Sequence, residues 1–252
     1  MIFSTKVPKA LHHMPSLQSL DLSSNVIGVL KRESLQALPE LRTLKISRNE
    51  LSRIGDGAFK ETPALLHLDL SANRLQSLEQ ETFKSLKSLT SLDVAENQLE
   101  DINGLLQTQV GLQWLNVSSN LLPWFDYAFV PPSVQYLDIS DNLIDALGNY
   151  YKLAENYALR YLDASGNKIE TLDPVSLLPS MEDVYLQGNN IAKISDNTFI
   201  GKSLLNQVHL ERNELTTLSM GALMTSPLKG KIIFVRLGGV PLLPLEWSND
   251  GS

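Results

Sequence analysis

The side chains with chemistry to offer fall into columns rather than clusters. Asp21, Asp69, Asp93, Asp138 and Asp163 each lie between the last two apolar residues of a short apolar run. Carboxylates at one repeated position could present a surface to a cation or a basic ligand. They could equally be a routine part of a repeated turn, and Lys45, Asn116, Tyr185 and His209 interrupt the column. Two residues earlier in three consecutive runs stand Trp114, Tyr136 and Tyr161, with Tyr185 one column over. Large rigid aromatics on an open surface make good anchors for a protein ligand, and Asp138 and Asp163 beside them would favour a basic partner. The alternative is that these rings stack on each other and on an irregular loop beside them. Asn116-Val117-Ser118 is the only N-x-[ST] sequon. A glycan on Asn116 would emerge among the aromatics and obstruct them; an unused chance sequon is the other reading.

Catalytic chemistry finds little support. His12, His13, His67 and His209 lack the spacing of metal ligands. Gly201-Lys202-Ser203 echoes the end of a phosphate loop, but Asp196 stands where its first glycine belongs. There is no G-x-S-x-G elbow. The absence of cysteine excludes thiolate metal sites, disulfides and cysteine nucleophiles. We expect no cofactor, no metal and no enzymatic activity. Lysine and arginine number 21 against 28 acidic residues, a net charge of −7, which argues against nucleic acid as a partner. No run approaches the roughly 18 apolar residues of a membrane span, so membrane contact by this segment is not expected.

These columns require elements that repeat. The frame L-x-x-L-x-L-x-x-N-x-L recurs nine times, with its asparagines at Asn25, Asn49, Asn73, Asn97, Asn120, Asn142, Asn167, Asn189 and Asn213, spaced 22 to 25 residues apart. This is the leucine-rich repeat pattern. The L-x-x-L-x-L segment predicts one short strand per repeat, parallel to its neighbours, with leucines inward and the intervening residues on a concave face. The chain must then turn, leaving buried backbone groups unpaired. An amide with two donors and an acceptor can satisfy them, so the asparagines are expected to form a structural ladder. Ten residues after the asparagine comes an outer spine, Leu35, Phe59, Phe83, Val130, Leu177, Phe199 and Leu223. Gln107 and Lys152 break it, beside Leu106 and Leu153. The D-G-A-F, Q-E-T-F and D-N-T-F segments around it read as single helical or 3-10 turns.

The expected architecture is therefore an α/β repeat fold. It is one curved solenoid over residues 1–252, with a parallel concave sheet and with irregular loops and short helical turns on the convex side. Regular repeats occupy about 17–227, and a degenerate last repeat and tail occupy 228–252, with Val240 at the asparagine position and no cysteine-rich caps. Two stretches depart from the template. Trp124-Phe125-Asp126-Tyr127-Ala128 opens an aromatic loop closed by Pro131-Pro132, a pair expected to forbid a helix. Leu147-Gly148-Asn149-Tyr150-Tyr151 opens the longest internal repeat.

Leu112-Gln113-Trp114-Leu115, the W-F-D-Y-A phrase, Pro131 to Tyr136, and the L-G-N-Y-Y phrase together resemble the ectodomain of arthropod Toll receptors. The G-G-V-P-L…E-W end is similar to the point where their last repeat enters a cysteine-rich cap, but here the cap cysteines are missing and the spacing to Trp247 is short. The resemblance implies an extracellular, non-catalytic recognition module of a single-pass innate-immune or developmental receptor. Its partner would be a protein ligand or a second receptor ectodomain, with homodimers possible in that arrangement. The membrane helix and signalling domain are expected to be absent from this segment, as is a signal peptide. Two alternatives stay open from the residues alone: a leucine-rich adhesion protein, and a cytosolic leucine-rich inhibitor or adaptor.

Overall fold

The computed structural model describes residues 4–149 and 157–216, and beyond them the backbone of Arg236–Leu237 and Val240–Pro241. Nine three-residue strands follow the predicted frame. They are β1 (Ser19–Asp21), β2 (Thr43–Lys45), β3 (His67–Asp69), β4 (Ser91–Asp93), β5 (Trp114–Asn116), β6 (Tyr136–Asp138), β7 (Tyr161–Asp163), β8 (Asp183–Tyr185) and β9 (Gln207–His209). They form one sheet in chain order. Every pairing is parallel and in equivalent register, so Leu44 lies opposite Leu20 and Leu68. The fold is a leucine-rich solenoid, as the periodicity predicts.

Strand alternation sends the central residue of each triplet inward. Leu44, Leu92, Leu115, Leu137, Leu162, Val184 and Val208 are fully buried. Each such side chain is worth about 1.5–3 kcal/mol against exposure. The outer spine closes the other side of the core: Leu35, Phe59, Phe83, Val130, Leu177 and Phe199 are buried, and Phe59 and Phe83 meet at 6.0 Å. In the fourth repeat, Leu105 and Leu106 fill the place that Gln107 leaves.

The ladder is continuous. Each asparagine Nδ2 donates to carbonyls of its own turn and, from Asn49 onward, of the turn before it; each Oδ1 accepts an amide from the preceding turn. Asn73 shows the pattern, with Nδ2 on the Ile46, Leu70 and Ser71 carbonyls at 2.9, 2.9 and 3.1 Å and Oδ1 on the Leu51 amide at 2.9 Å. At the N-terminal end, Asn25 accepts the Ser4 amide at 2.8 Å, so residues before β1 supply part of a turn. The residue preceding each asparagine has a left-handed backbone, from φ 51° at Ala72 to 70° at Gly188. That reversal aims the amide inward.

The convex side carries less helix than the sequence suggests. Among the described residues, helix is limited to 3-10 turns at Lys9–His13, Arg32–Leu35 and Tyr127–Phe129. The D-G-A-F, Q-E-T-F and D-N-T-F segments are hydrogen-bonded turns. The proline pair does not exclude helix from the aromatic loop. Tyr127–Phe129 completes its short turn before Pro131, and Asp126 caps it by accepting the Ala128 amide at 2.8 Å. A second set of parallel pairings, which the repeat frame does not signal, runs along the flank: Val29–Leu30 with Arg53–Ile54, Phe125–Asp126 with Leu147–Gly148, and Thr171–Leu172 with Lys193–Ile194. Tyr150, Tyr151, Lys152, Leu153, Leu223, Trp247 and most of the degenerate last repeat lie outside the described residues. Arg236–Leu237 pairs antiparallel with Val240–Pro241, apart from the main sheet.

Candidate functional site

Parallel register brings the expected aromatics together. Trp114 on β5 stacks on Tyr136 of β6, with centroids 5.4 Å apart and planes 13° from parallel. Tyr136 stacks on Tyr161 of β7 at 4.3 Å and 8°. The column then shifts sideways. Asp183 is the register partner of Tyr161, yet the ring of Tyr161 meets Tyr185 at 5.0 Å, and Tyr185 stacks on His209 at 4.6 Å and 5°. Five rings thus run across five strands. His209, which the sequence shows only as a break in the aspartate column, is the fifth; its register opposite Tyr185 was the available signal. The rings are half-buried, and burial pushes the Tyr136, Tyr161 and Tyr185 hydroxyls above the ordinary phenol value. They stay protonated at neutral pH. The aromatic loop keeps its own contacts: Trp124 meets Phe129 edge to face at 4.6 Å, and Phe125 meets Tyr127 at 5.3 Å.

The aspartates do structural work first. Asp21, Asp69, Asp93, Asp138 and Asp163 each accept the amide two residues on, at 2.9–3.0 Å, closing the turn after the strand. This is an Asx-turn. Asp69, Asp138 and Asp163 also accept a serine hydroxyl at 2.6 Å. At Asp93 the corresponding residue is Ala95, so that hydroxyl is missing. Asn116 occupies the same column, its Oδ1 on the Ser118 amide at 2.9 Å. It is half-buried, and a glycan on it would stand between Asp93 and Asp138, beside Trp114.

Residues 5–51, 15–75, 39–99 and 63–122 match the family described as Leucine rich repeat, and residues 158–179 match a second description, Leucine Rich Repeat. Together these segments cover more than half of the chain. The chain belongs to the leucine-rich repeat family. Neither description is of a catalytic family. This leucine-rich repeat chain is also 44% identical over 127 residues, 50% of its length, to Toll-like receptor 7 of Drosophila melanogaster. The Toll similarity read from the sequence is borne out over that half. The aligned stretch is 9% of the relative, so the chain spans about a tenth of that receptor. The leucine-rich repeat domain of APL1B superposes with a TM-score of 0.76 at 29% identity, over 86% of this chain and 63% of that one. A chain of the LRIM1/APL1C complex shares the fold, with a TM-score of 0.65 at 23% identity over 83% and 46% of the two chains. Leucine-rich repeats of this kind are protein-interaction modules.

Other residues singled out in the leucine-rich repeat sequence resolve into structure. Lys202 is buried on the convex side, donating from Nζ to the Pro174 carbonyl at 3.0 Å, and burial lowers its pKa. It braces neighbouring turns and forms no phosphate loop. No group of three or more potential metal ligands occurs among the described residues, and no described helix is long and apolar enough to cross a membrane. His12 Nε2 lies 3.0 Å from the Glu33 carbonyl, a link from the first turn to the next.

The crowded carboxylates yield a prediction. Desolvation pushes Asp93 up to about 6, with Asp69, Asp138 and Glu96 adding repulsion against the single opposing hydrogen bond from Ala95. A carboxyl whose folded value exceeds its unfolded one stabilises the fold below the unfolded value and loses that contribution as pH rises through the folded one. Asp93→Asn keeps the acceptor for the Ala95 amide, as Asn116 does for Ser118. It is expected to stabilise the chain at pH 7–8 by about 1 kcal/mol, a figure reduced for the side chain's partial exposure. Thermal melts should show the gain vanish at about pH 4. A gain that is constant with pH would show that charge is not its source.

Proposed function

We propose that the chain is the ligand-recognition segment of a Toll-type receptor ectodomain, contacting a protein ligand or a second ectodomain through its concave face outside the cell. One observation carries the reading: the ring column from Trp114 through Tyr136, Tyr161 and Tyr185 to His209, bordered by Asp138 and Asp163, on a chain 44% identical over half its length to a Toll-like receptor. A packed sheet holds the rings, so little side-chain entropy is lost on contact. The receptor reading supplies the localisation and an innate-immune or developmental signalling role.

The test is a binding screen against secreted and cell-surface proteins of the source organism, repeated with Trp114→Ala and Tyr161→Ala. An anchoring role predicts that partner affinity falls about tenfold or more while the melting temperature barely moves. A bracing role predicts the reverse, lower stability with affinity unchanged. If both variants retain full affinity, the concave reading is overturned. Glycopeptide mass spectrometry is the companion measurement. Full occupancy of Asn116 would place the chain in the secretory route and exclude the aromatic column as the contact surface.

A further inference from the structure

Ring stacking uses up most of the faces in the column. Tyr136, Tyr161 and Tyr185 are each covered on both sides by neighbouring rings. Trp114 is not: Tyr136 covers one face, and its strand neighbour on the other side is Ser91, too small to cover the indole. Trp114 lines a shallow depression of about 210 Å³ shared with Lys45, His67, Asp69, Ser91 and Asp93, on the side of its strand where Ser91 lies.

The carboxylates of the depression differ in how well they are satisfied. Asp69 and Asp93 are register partners on β3 and β4. Asp69 holds both the amide and the hydroxyl of Ser71, at 3.0 and 2.6 Å. Asp93 holds the Ala95 amide and gets no hydroxyl there, because alanine has none to give. It is nonetheless largely shielded from water and close to other carboxylates. A desolvated carboxylate with spare acceptor capacity gains most from an added cationic donor. Lys45 sits two strands from Asp93, with Asp69 between them, and so lies at the far end of the depression.

We propose that this depression receives a single arginine side chain of a protein partner, its guanidinium lying flat on the free face of Trp114 and donating to Asp93 and Asp69. The inference deepens the recognition reading above and rests on it. Arginine fits better than lysine. Its planar fork can stack on an indole and reach carboxylates at once, whereas an ammonium is a compact, strongly hydrated point charge. The assignment moves the principal contact from the middle of the aromatic column to its Trp114 end.

The test uses a short probe: acetyl-Gly-Arg-Gly-amide and its citrulline counterpart, neutral but of the same shape. Each is titrated into the isotopically labelled chain while the Trp114 indole N–H resonance is followed, assigned by its loss in Trp114→Phe. The arginine peptide should shift this resonance saturably, and the citrulline peptide should bind about tenfold more weakly. Asp93→Asn, which should fold at least as well as the parent, should weaken the arginine peptide by a similar factor. Equal response to the two peptides, no saturable shift with the arginine peptide, or undiminished binding by Asp93→Asn would each overturn the proposal. Such a failure is distinguishable from failure of the recognition reading, because the Tyr161→Ala partner titration involves neither Asp93 nor the peptide.

Discussion

Truncating Tyr127 to alanine is expected to cost about 3–5 kcal/mol, the range for removing a fully buried aromatic. The ring has no exposed surface, and it packs edge to face against Phe125 and Tyr157. Its hydroxyl donates to the Ser176 carbonyl at 2.7 Å, 49 residues on, and its carbonyl accepts the Tyr157 hydroxyl at 2.9 Å. Truncation therefore leaves a cavity and removes a buried hydrogen bond together. Tyr127→Phe separates the two, leaving the ring and losing about 1 kcal/mol for the bond. Urea melts of the three proteins measure both steps. An alanine variant within 1 kcal/mol of the parent, about the cost of a single bond, would mean that the loop contributes nothing to the core.

Asn73→Leu is expected to cost about 3 kcal/mol or more, since the Leu51 amide and the carbonyls served by Nδ2 lose partners at once, at about 1–3 kcal/mol for each group left unsatisfied. The location of the damage is the sharper test. Leu51 donates to Asn73, whereas Leu75 donates to Asn97. Hydrogen exchange should accelerate at the Leu51 amide, in the turn before the substitution, and less at Leu75 in its own turn. Asn73→Asp should differ in kind. It keeps the acceptor for Leu51 but sets a carboxylate against the Ile46 and Leu70 carbonyls. Equal acceleration on both sides in Asn73→Leu would refute the directional ladder.

The backbone plan was legible because every turn restates it. Leu44, Leu68 and Leu92 could be placed opposite one another from spacing alone, as could Asn49 and Asn73. The aromatic column was legible up to Tyr161 for the same reason. Tyr185 was legible one column over, but the contact of Tyr161 with it across the columns and the extension to His209 were not, because ring lean depends on side-chain torsions that spacing does not encode. The aspartates allowed two readings, and the Asx-turn was already implied by serine two residues on in L-D-L-S. The two phrases that suggest Toll receptors are packing partners. Phe125 and Asp126 lie opposite Leu147 and Gly148. A β-carbon at Gly148 would come within 2.8 Å of the Asp126 carboxylate and 2.9 Å of the Phe125 carbonyl. Both dipeptides begin five residues after a ladder asparagine, Asn120 and Asn142, and that shared offset was the unread signal.

The one-way bonding of the asparagines bears on how such a chain can lengthen over generations. Asn25 seals the stretch containing Ser4, Asn49 the turn containing Ile27, and so on to Asn213, which seals the turn containing Ile191. A duplicated copy therefore arrives with the means to finish its predecessor and without the means to finish itself. Copied into the interior, it is completed at once by whatever follows. Added at the C-terminal end, it stays open until a different kind of segment closes it. On this bonding alone, an internal duplication leaves no turn unsealed, whereas an addition after Asn213 leaves the last turn without an asparagine from a following one.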